Sequence, residues 1–162
     1  MNKVLLSNNI KSKNGVKIKI TSIFNTSFEI IWSKIINIDT LIYICKPMVR
    51  FTLLSKDKPK IWETNKEYIF KLFIYGVIPL GKHRITLKNI DKNNGIIISN
   101  ENNNIVKIWN HKIEMNIIEE KITTYTDEVD IYAGIFTIIV ALFGLIFYKH
   151  RQKKWKKLIN EF

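Results

Sequence analysis

Alternation of apolar and polar positions begins at Val16. Val16, Ile18, Ile20, Ser22 and Phe24 alternate with Lys17, Lys19, Thr21 and Ile23, the two-residue period of a half-buried strand. Thr26 or Ser27 can cap a short helix from about Phe28 to Ile36, with Glu29 in its first turn. A second short helix is predicted from Asp39 to Ile44, stopped by Pro47. From Val49 to Ile131 the pattern is that of antiparallel strands. Val49, Phe51 and Leu53 form one inward set. Tyr68, Phe70, Leu72 and Ile74 alternate with Glu67, Lys71 and Phe73, and His83, Ile85 and Leu87 alternate with Arg84, Thr86 and Lys88. Further strands are predicted over Ile96–Glu101, Ile105–Met115 and Ile122–Ile131, parted by turns at Lys92-Asn93-Asn94-Gly95, Asn102-Asn103-Asn104 and Glu119-Glu120. Residues 1–15 are polar and read as an N-terminal extension, with residues 16–162 forming one domain.

The pattern changes again at Ile131. From there to Tyr148 no side chain is charged, and the sequence then turns basic at Lys149, Arg151, Lys153, Lys154, Lys156 and Lys157. As a helix the apolar run covers about 27 Å, slightly short of the ~30 Å hydrocarbon layer of a bilayer. It is also diluted by Tyr132, Gly134, Thr137, Gly144 and Tyr148. Three readings stand: a membrane span, a helix covering a sheet, and a folded helix that also touches a bilayer through its basic end. A sheet of this kind cannot leave its apolar face bare, and the terminal helix is the element long enough to cover it. We therefore read it as the covering helix, with a space between it and the sheet lined by inward strand residues.

Composition changes this picture little. Hydrophobic content of 46% and charged content of 25% are ordinary for a globular chain, whereas the net charge of +12 is not. Basic charge raises nucleic acid and anionic membrane as partners. Arg50, Arg84 and Arg151 are the arginines among 26 basic residues, which argues against nucleic acid, since arginine is the better bidentate phosphate and guanine ligand. The single cysteine, Cys45, allows no intrachain disulfide and reads as a small buried side chain. No secretory signal pattern opens the chain, and a cytoplasmic protein is expected.

Particular residues carry a resemblance. Trp62, Glu67-Tyr68 and the run from Tyr75 through Gly76, Pro79 and Gly81 to His83 are similar to a pattern in bacterial members of the SRPBCC superfamily. These proteins are also called START-like, polyketide-cyclase-like or birch-pollen-allergen-like. Glu101, Trp109-Asn110-His111, Tyr125–Val129, Ala133-Gly134 and Tyr148–Trp155 continue it. The resemblance implies a helix-grip fold of class α+β. In it a curved antiparallel sheet of about seven strands wraps a long C-terminal helix, two short helices follow the first strand, and a cavity for an apolar ligand is enclosed. It also implies that the apolar run is the grip helix and not a span. One departure is plain: between Ile135 and Phe147 only Thr137 is polar, so the polar outer stripe of a covering helix is missing.

Alternation assigns the inner face independently. Thr124, Thr126, Glu128 and Asp130 are wholly polar and face water, which turns Tyr125, Asp127 and Val129 inward. Val106, Ile108, Asn110, Lys112 and Glu114 are the more polar set of their strand, so Trp109, His111 and Ile113 point inward, as does His83 with Ile85 and Leu87. Pairing around Glu119-Glu120 sets His111 opposite Asp127, Trp109 opposite Val129 and Ile113 opposite Tyr125. The expected ligand-binding residues are Phe51, Tyr68, Phe70, Leu72, His83, Ile85, Trp109, His111, Tyr125 and Asp127. The candidates for catalysis are His111, Asp127, His83 and Glu101, because a carboxylate beside an imidazole is the equipment of a general base. The same pair can equally satisfy itself and pin the sheet. No nucleophile constellation and no metal-ligand spacing is present, and neither metal nor cofactor is expected. The expected function is binding of a small hydrophobic or lipid-like ligand. The alternatives are a cyclase- or hydratase-like enzyme using the His–Asp pair, and a module touching a membrane surface through Lys149–Lys157.

Overall fold

The computed structural model describes residues 2–8 and 11–160. Met1 and Phe162, the ends of the two expected regions, lie outside the described residues, as do Asn9, Ile10 and Glu161. Eight strands form one antiparallel sheet: β1 (Asn2–Asn8), β2 (Lys11–Phe24), β3 (Val49–Leu53), β4 (Glu67–Ile74), β5 (Ile78–Asp91), β6 (Ile96–Asn102), β7 (Ile108–Glu119) and β8 (Ile122–Tyr132). Their order across the sheet is β1-β2-β8-β7-β6-β5-β4-β3. Two short helices, α1 (Phe28–Ile35) and α2 (Ile38–Cys45), follow β2, and α3 (Thr137–Asn160) ends the chain.

The eighth strand is β1, from the stretch read as an extension. It pairs with β2 at the sheet edge from Asn2 opposite Lys17 to Asn8 opposite Lys11, so β2 begins before Val16. An edge pairing needs only backbone donors and acceptors, so apolar alternation is a poor guide to it. β5 also starts earlier than expected. Tyr75 and Gly76, both in the left-handed region at φ 47° and 73°, close a two-residue turn, and the chain re-enters the sheet at Ile78. A bulge between Leu72 and Phe73 then absorbs the change of register before His83. At the first helix Ser27 holds the cap position without a side-chain hydrogen bond, whereas Asn37 caps α2 by accepting from the Asp39 N–H.

The grip is made by α3. Ala141, Gly144, Tyr148, Gln152, Trp155 and Ile159 recur every three or four residues and are buried, the stripe of a helix lying across a sheet. At Gly144 the helix meets Ile131, Ile18 and Trp109 so closely that an added Cβ would press on all three. Past this contact Trp155 packs with Phe24 and Tyr125 in the core. By length and composition Gly134–Ile159 could cross a membrane, but the buried stripe is committed to the sheet. The missing polar stripe is real: Ile135, Phe136, Ile138, Ile139, Leu142 and Ile146 are exposed on the outer face, and Ile135 is 92% exposed. Further along, Lys149, Lys153, Lys156 and Lys157 take over that face.

Candidate functional site

A cavity of about 500 Å³ lies between the inner face of the sheet and the first half of α3. Its walls are mostly apolar: Val49, Phe51, Leu72, Leu80, Ile85 and Val106 from the sheet side, and Val140, Phe143 and Phe147 from the helix. Ile105, Phe136 and Ile139 line it and are also exposed, so its mouth lies where α3 begins. Val106, expected to face outward, sits in the loop before β7 and is buried on the cavity wall. That loop is shaped by Asn103, whose side-chain oxygen accepts from the N–H groups of Ile105 and Val106 at 2.8 and 2.7 Å.

Part of the wall is polar. Four adjacent strands each contribute one member of a row: His83 from β5, Glu101 from β6, His111 from β7 and Asp127 from β8. His83 Nε2 lies 2.9 Å from Glu101 Oε2, and His111 Nε2 lies 2.8 Å from Asp127 Oδ1. Glu101 Oε1 is 3.9 Å from His111 Nδ1, which links the two pairs electrostatically. Ser99 donates to Glu101 at 2.7 Å, and Asn103 Nδ2 reaches His83 Nδ1 at 3.4 Å. Asp127, wholly buried, also accepts from Gln152 Nε2 at 3.1 Å and from the Tyr125 hydroxyl at 3.4 Å. Beyond the row is a second void of about 50 Å³, whose wall shares Glu101, His111 and Arg151 with the larger cavity.

Electrostatics keep both carboxylates ionised. Burial pushes the Glu101 carboxyl up, but the hydrogen bond and charge of His83, with help from His111 and Ser99, leave it below its ordinary value. Burial acts the same way on Asp127 and is overcome by the Arg151 charge, then by His111 and Gln152. Burial disfavours the Arg151 cation, yet Asp127 and the surrounding groups hold it above the usual guanidinium range. Burial drives the Tyr125 and Tyr148 phenols well up and the Cys45 thiol up to about 12, so all three stay neutral.

Arg151 is 4% exposed and faces both voids. Its guanidinium carbon lies over the Tyr148 ring at 4.8 Å from the centroid and over the Phe147 ring at 5.8 Å. Among the described residues it has neither a hydrogen-bond partner nor an ion pair, and its Nε is fully enclosed with no acceptor.

The structure sorts the residues singled out in the sequence. Phe51, Leu72, His83, Ile85, Trp109 and His111 line the cavity, and so does Glu101. Tyr68, Phe70, Tyr125 and Asp127 do not. Tyr68 packs on Trp62 and accepts from the Glu63 N–H, Phe70 is core beside Phe51, Tyr125 stacks on Phe24, and Asp127 lies behind His111. The expected register of the last two strands is also corrected. His111 pairs with Val129, Trp109 with Ile131 and Ile113 with Asp127, a displacement of two residues. Faces are preserved, so His111 and Asp127 meet diagonally. Tyr148, which accepts from Trp109 Nε1 at 3.0 Å, and Arg151, Gln152, Ser99 and Asn103 were not among the expected site residues. The three on α3 were signalled by spacing, since positions 148, 151 and 152 continue the buried stripe from Ala141 and Gly144.

No family model matches the sequence, and no curated protein matches it. The likeness is in the fold. A START superfamily protein from Mycobacterium smegmatis superimposes with TM-score 0.68 at 11% identity, covering 90% of this chain and 97% of that one. A conserved protein from Geobacillus kaustophilus gives 0.62 at 16% identity, covering 90% and 96%. An aromatase/cyclase from a Streptomyces species gives 0.57 at 10% identity, covering 75% and 70%. An eight-stranded antiparallel sheet gripping a long C-terminal helix, with two short helices after β2, gives this chain the helix-grip fold of START-like (SRPBCC) proteins.

Proposed function

We propose that the protein binds a small hydrophobic or lipid-like molecule in the space between the sheet and α3. The observation that carries this reading is the cavity itself: about 500 Å³, open at one end and apolar over most of its wall, with His83, Glu101, Asn103, His111 and Arg151 as its polar lining. Volumes of this order hold drug-sized ligands, with affinity from apolar burial and orientation from a few fixed polar groups. Titration with the neutral fluorophore N-phenyl-1-naphthylamine, together with native mass spectrometry of the purified protein, tests it. Saturable fluorescence enhancement at one site, or a co-purified apolar molecule, is the expected result. No enhancement and no bound mass at any protein concentration would overturn it.

A second reading is favoured by one geometric detail. With Nε2–H donating to Asp127, the other ring nitrogen of His111 is the atom left to take a proton, and His111 lines the cavity. Such a nitrogen would serve a cyclase- or hydratase-like enzyme as a general base, and one fold neighbour is an aromatase/cyclase. His111→Ala separates the two: binding within a few-fold of wild type supports the carrier reading, and loss of turnover with binding retained supports the enzyme.

A further inference from the structure

We propose that the ligand is an amphipathic anion, an apolar body carrying one carboxylate or similar oxyanion, and that Arg151 receives its head group. This deepens the cavity-binding reading and rests on it. A guanidinium has five N–H donors, and its place over the Tyr148 and Phe147 rings supplies none of them with an oxygen acceptor. Arg151 is 4% exposed, its Nε is enclosed without an acceptor, and among the described residues no carboxylate oxygen lies within ion-pair distance of the group.

The neighbouring carboxylates are engaged elsewhere. Asp127 accepts from His111, Gln152 and Tyr125, and Glu101 accepts from His83 and Ser99. Asp127 therefore acts on Arg151 through its field without filling its donors. A buried donor set that cannot deprotonate and has no acceptor carries a desolvation cost, and a ligand oxyanion entering the cavity would offset it. The position also fixes a direction. Ile139 at the mouth and Arg151 lie on the same helix, separated by roughly 18 Å along its axis, so the head group goes inward and the apolar body trails toward Phe136 and Ile139.

Displacement of N-phenyl-1-naphthylamine by three molecules of one chain length tests this: dodecanoate, dodecyl phosphate and dodecan-1-ol. In the wild type at least one of the two anions is expected to displace the fluorophore at concentrations about tenfold below the alcohol, the scale of one charge-assisted hydrogen bond. Which anion does so identifies the head group. In Arg151→Met the quantity read is the ratio of anion to alcohol displacement, whatever the variant's own affinity for the fluorophore: that preference should vanish, and Arg151→Lys should keep part of it. Equal displacement by all three in the wild type overturns the proposal, as does a preference that survives Arg151→Met. Should Arg151→Met not fold, Arg151→Gln serves in its place, and the wild-type comparison is decisive without either. Failure of the wild type to bind the fluorophore at all is a different outcome, which removes the cavity reading and this proposal with it.

Discussion

Asp127→Asn is the most informative single change to the polar row. The carboxylate accepts three hydrogen bonds, from His111 at 2.8 Å, Gln152 at 3.1 Å and Tyr125 at 3.4 Å, and its charge faces Arg151. The amide keeps one acceptor oxygen and sets an NH₂ group against either the His111 or the Gln152 donor. One charge-assisted bond worth about 1.5–3 kcal/mol is lost, and Arg151 loses the counter-charge that sustains it. Leaving a buried charge uncompensated in this way costs about 3–5 kcal/mol. With unfolding entropy of about 2.1 cal/mol/K per residue over 162 residues, that lowers Tm by about 9–15 °C.

Circular dichroism melts at pH 7 read the shift directly. A fall in Tm of less than about 2 °C would refute the assignment of Asp127 as the ionised anchor of the row, since a change on this scale is that of an ordinary surface substitution. The double variant with Arg151→Met is the control. Removing both charges should be less damaging than the sum of the single changes, because the uncompensated cation disappears with its partner. Strict additivity would mean that Arg151 and Asp127 do not act as a pair.

Four further outcomes are expected. The folded Glu101 and Asp127 carboxyls both lie below their ordinary values of 4.5 and 3.8, so their stabilisation is complete above those values and is lost as pH falls through the folded ones. Urea midpoints should therefore fall with acid below about pH 4.5, and Asp127→Asn should flatten the part below about pH 3.8; an unchanged acid slope would contradict this. Gly95, at φ 64°, would place an added Cβ onto the Met115 carbonyl oxygen, so Gly95→Ala should cost at least ~1–3 kcal/mol in urea unfolding, and a wild-type midpoint would be the wrong result. Cys45, buried with its thiol pushed up to about 12, should resist Ellman's reagent in the native protein and react fully in urea; rapid native labelling would contradict its placement. Val140→Phe adds bulk to the cavity wall and should weaken N-phenyl-1-naphthylamine binding while Tm stays near wild type, whereas unaltered binding would place the ligand elsewhere.

Period-two alternation made most of the sheet legible because its strands bury one face only: β3, β4, β6 and β8 stand close to where the pattern sets them. It failed where pairing does not depend on side chains. β1 is an edge strand, and the start of β5 is set by a left-handed turn at Tyr75-Gly76 and a bulge, neither of which leaves an apolar rhythm. The turn after β7 falls at residues 120–121, one residue later than expected, which slides the β7–β8 pairing by two and keeps every face. For the same reason His111 and Asp127 still meet, while Tyr125 and Asp127 belong to the layer behind the cavity and not to its wall. Arg151 was hidden by composition. Set among lysines, it reads as part of a solvated basic end, and only its place in the 3.6-residue stripe of α3 marks it as interior. Trp155 was hidden in the same way and proves to be core.

A charge on that stripe is the point at which local pattern and tertiary position disagree, and such disagreements are expected where a protein gives up stability for a task. The row explains how the fold tolerates this one. Two carboxylates and two imidazoles alternate across four neighbouring strands, so each strand holds one polar group and hands the next a partner. Gln152, adjacent to Arg151 on the same helix turn, ties α3 to the row by donating to both Asp127 and the Ile20 carbonyl. Arg151 is thereby held in place by its neighbour and by the rings beneath it, and not by any acceptor of its own. A purely structural arginine would be expected to point its donors at Asp127, the carboxylate whose charge acts on it. Here that carboxylate is occupied by His111 and Tyr125 from the sheet and by Gln152 from α3, and Arg151 is left on the cavity wall without an acceptor.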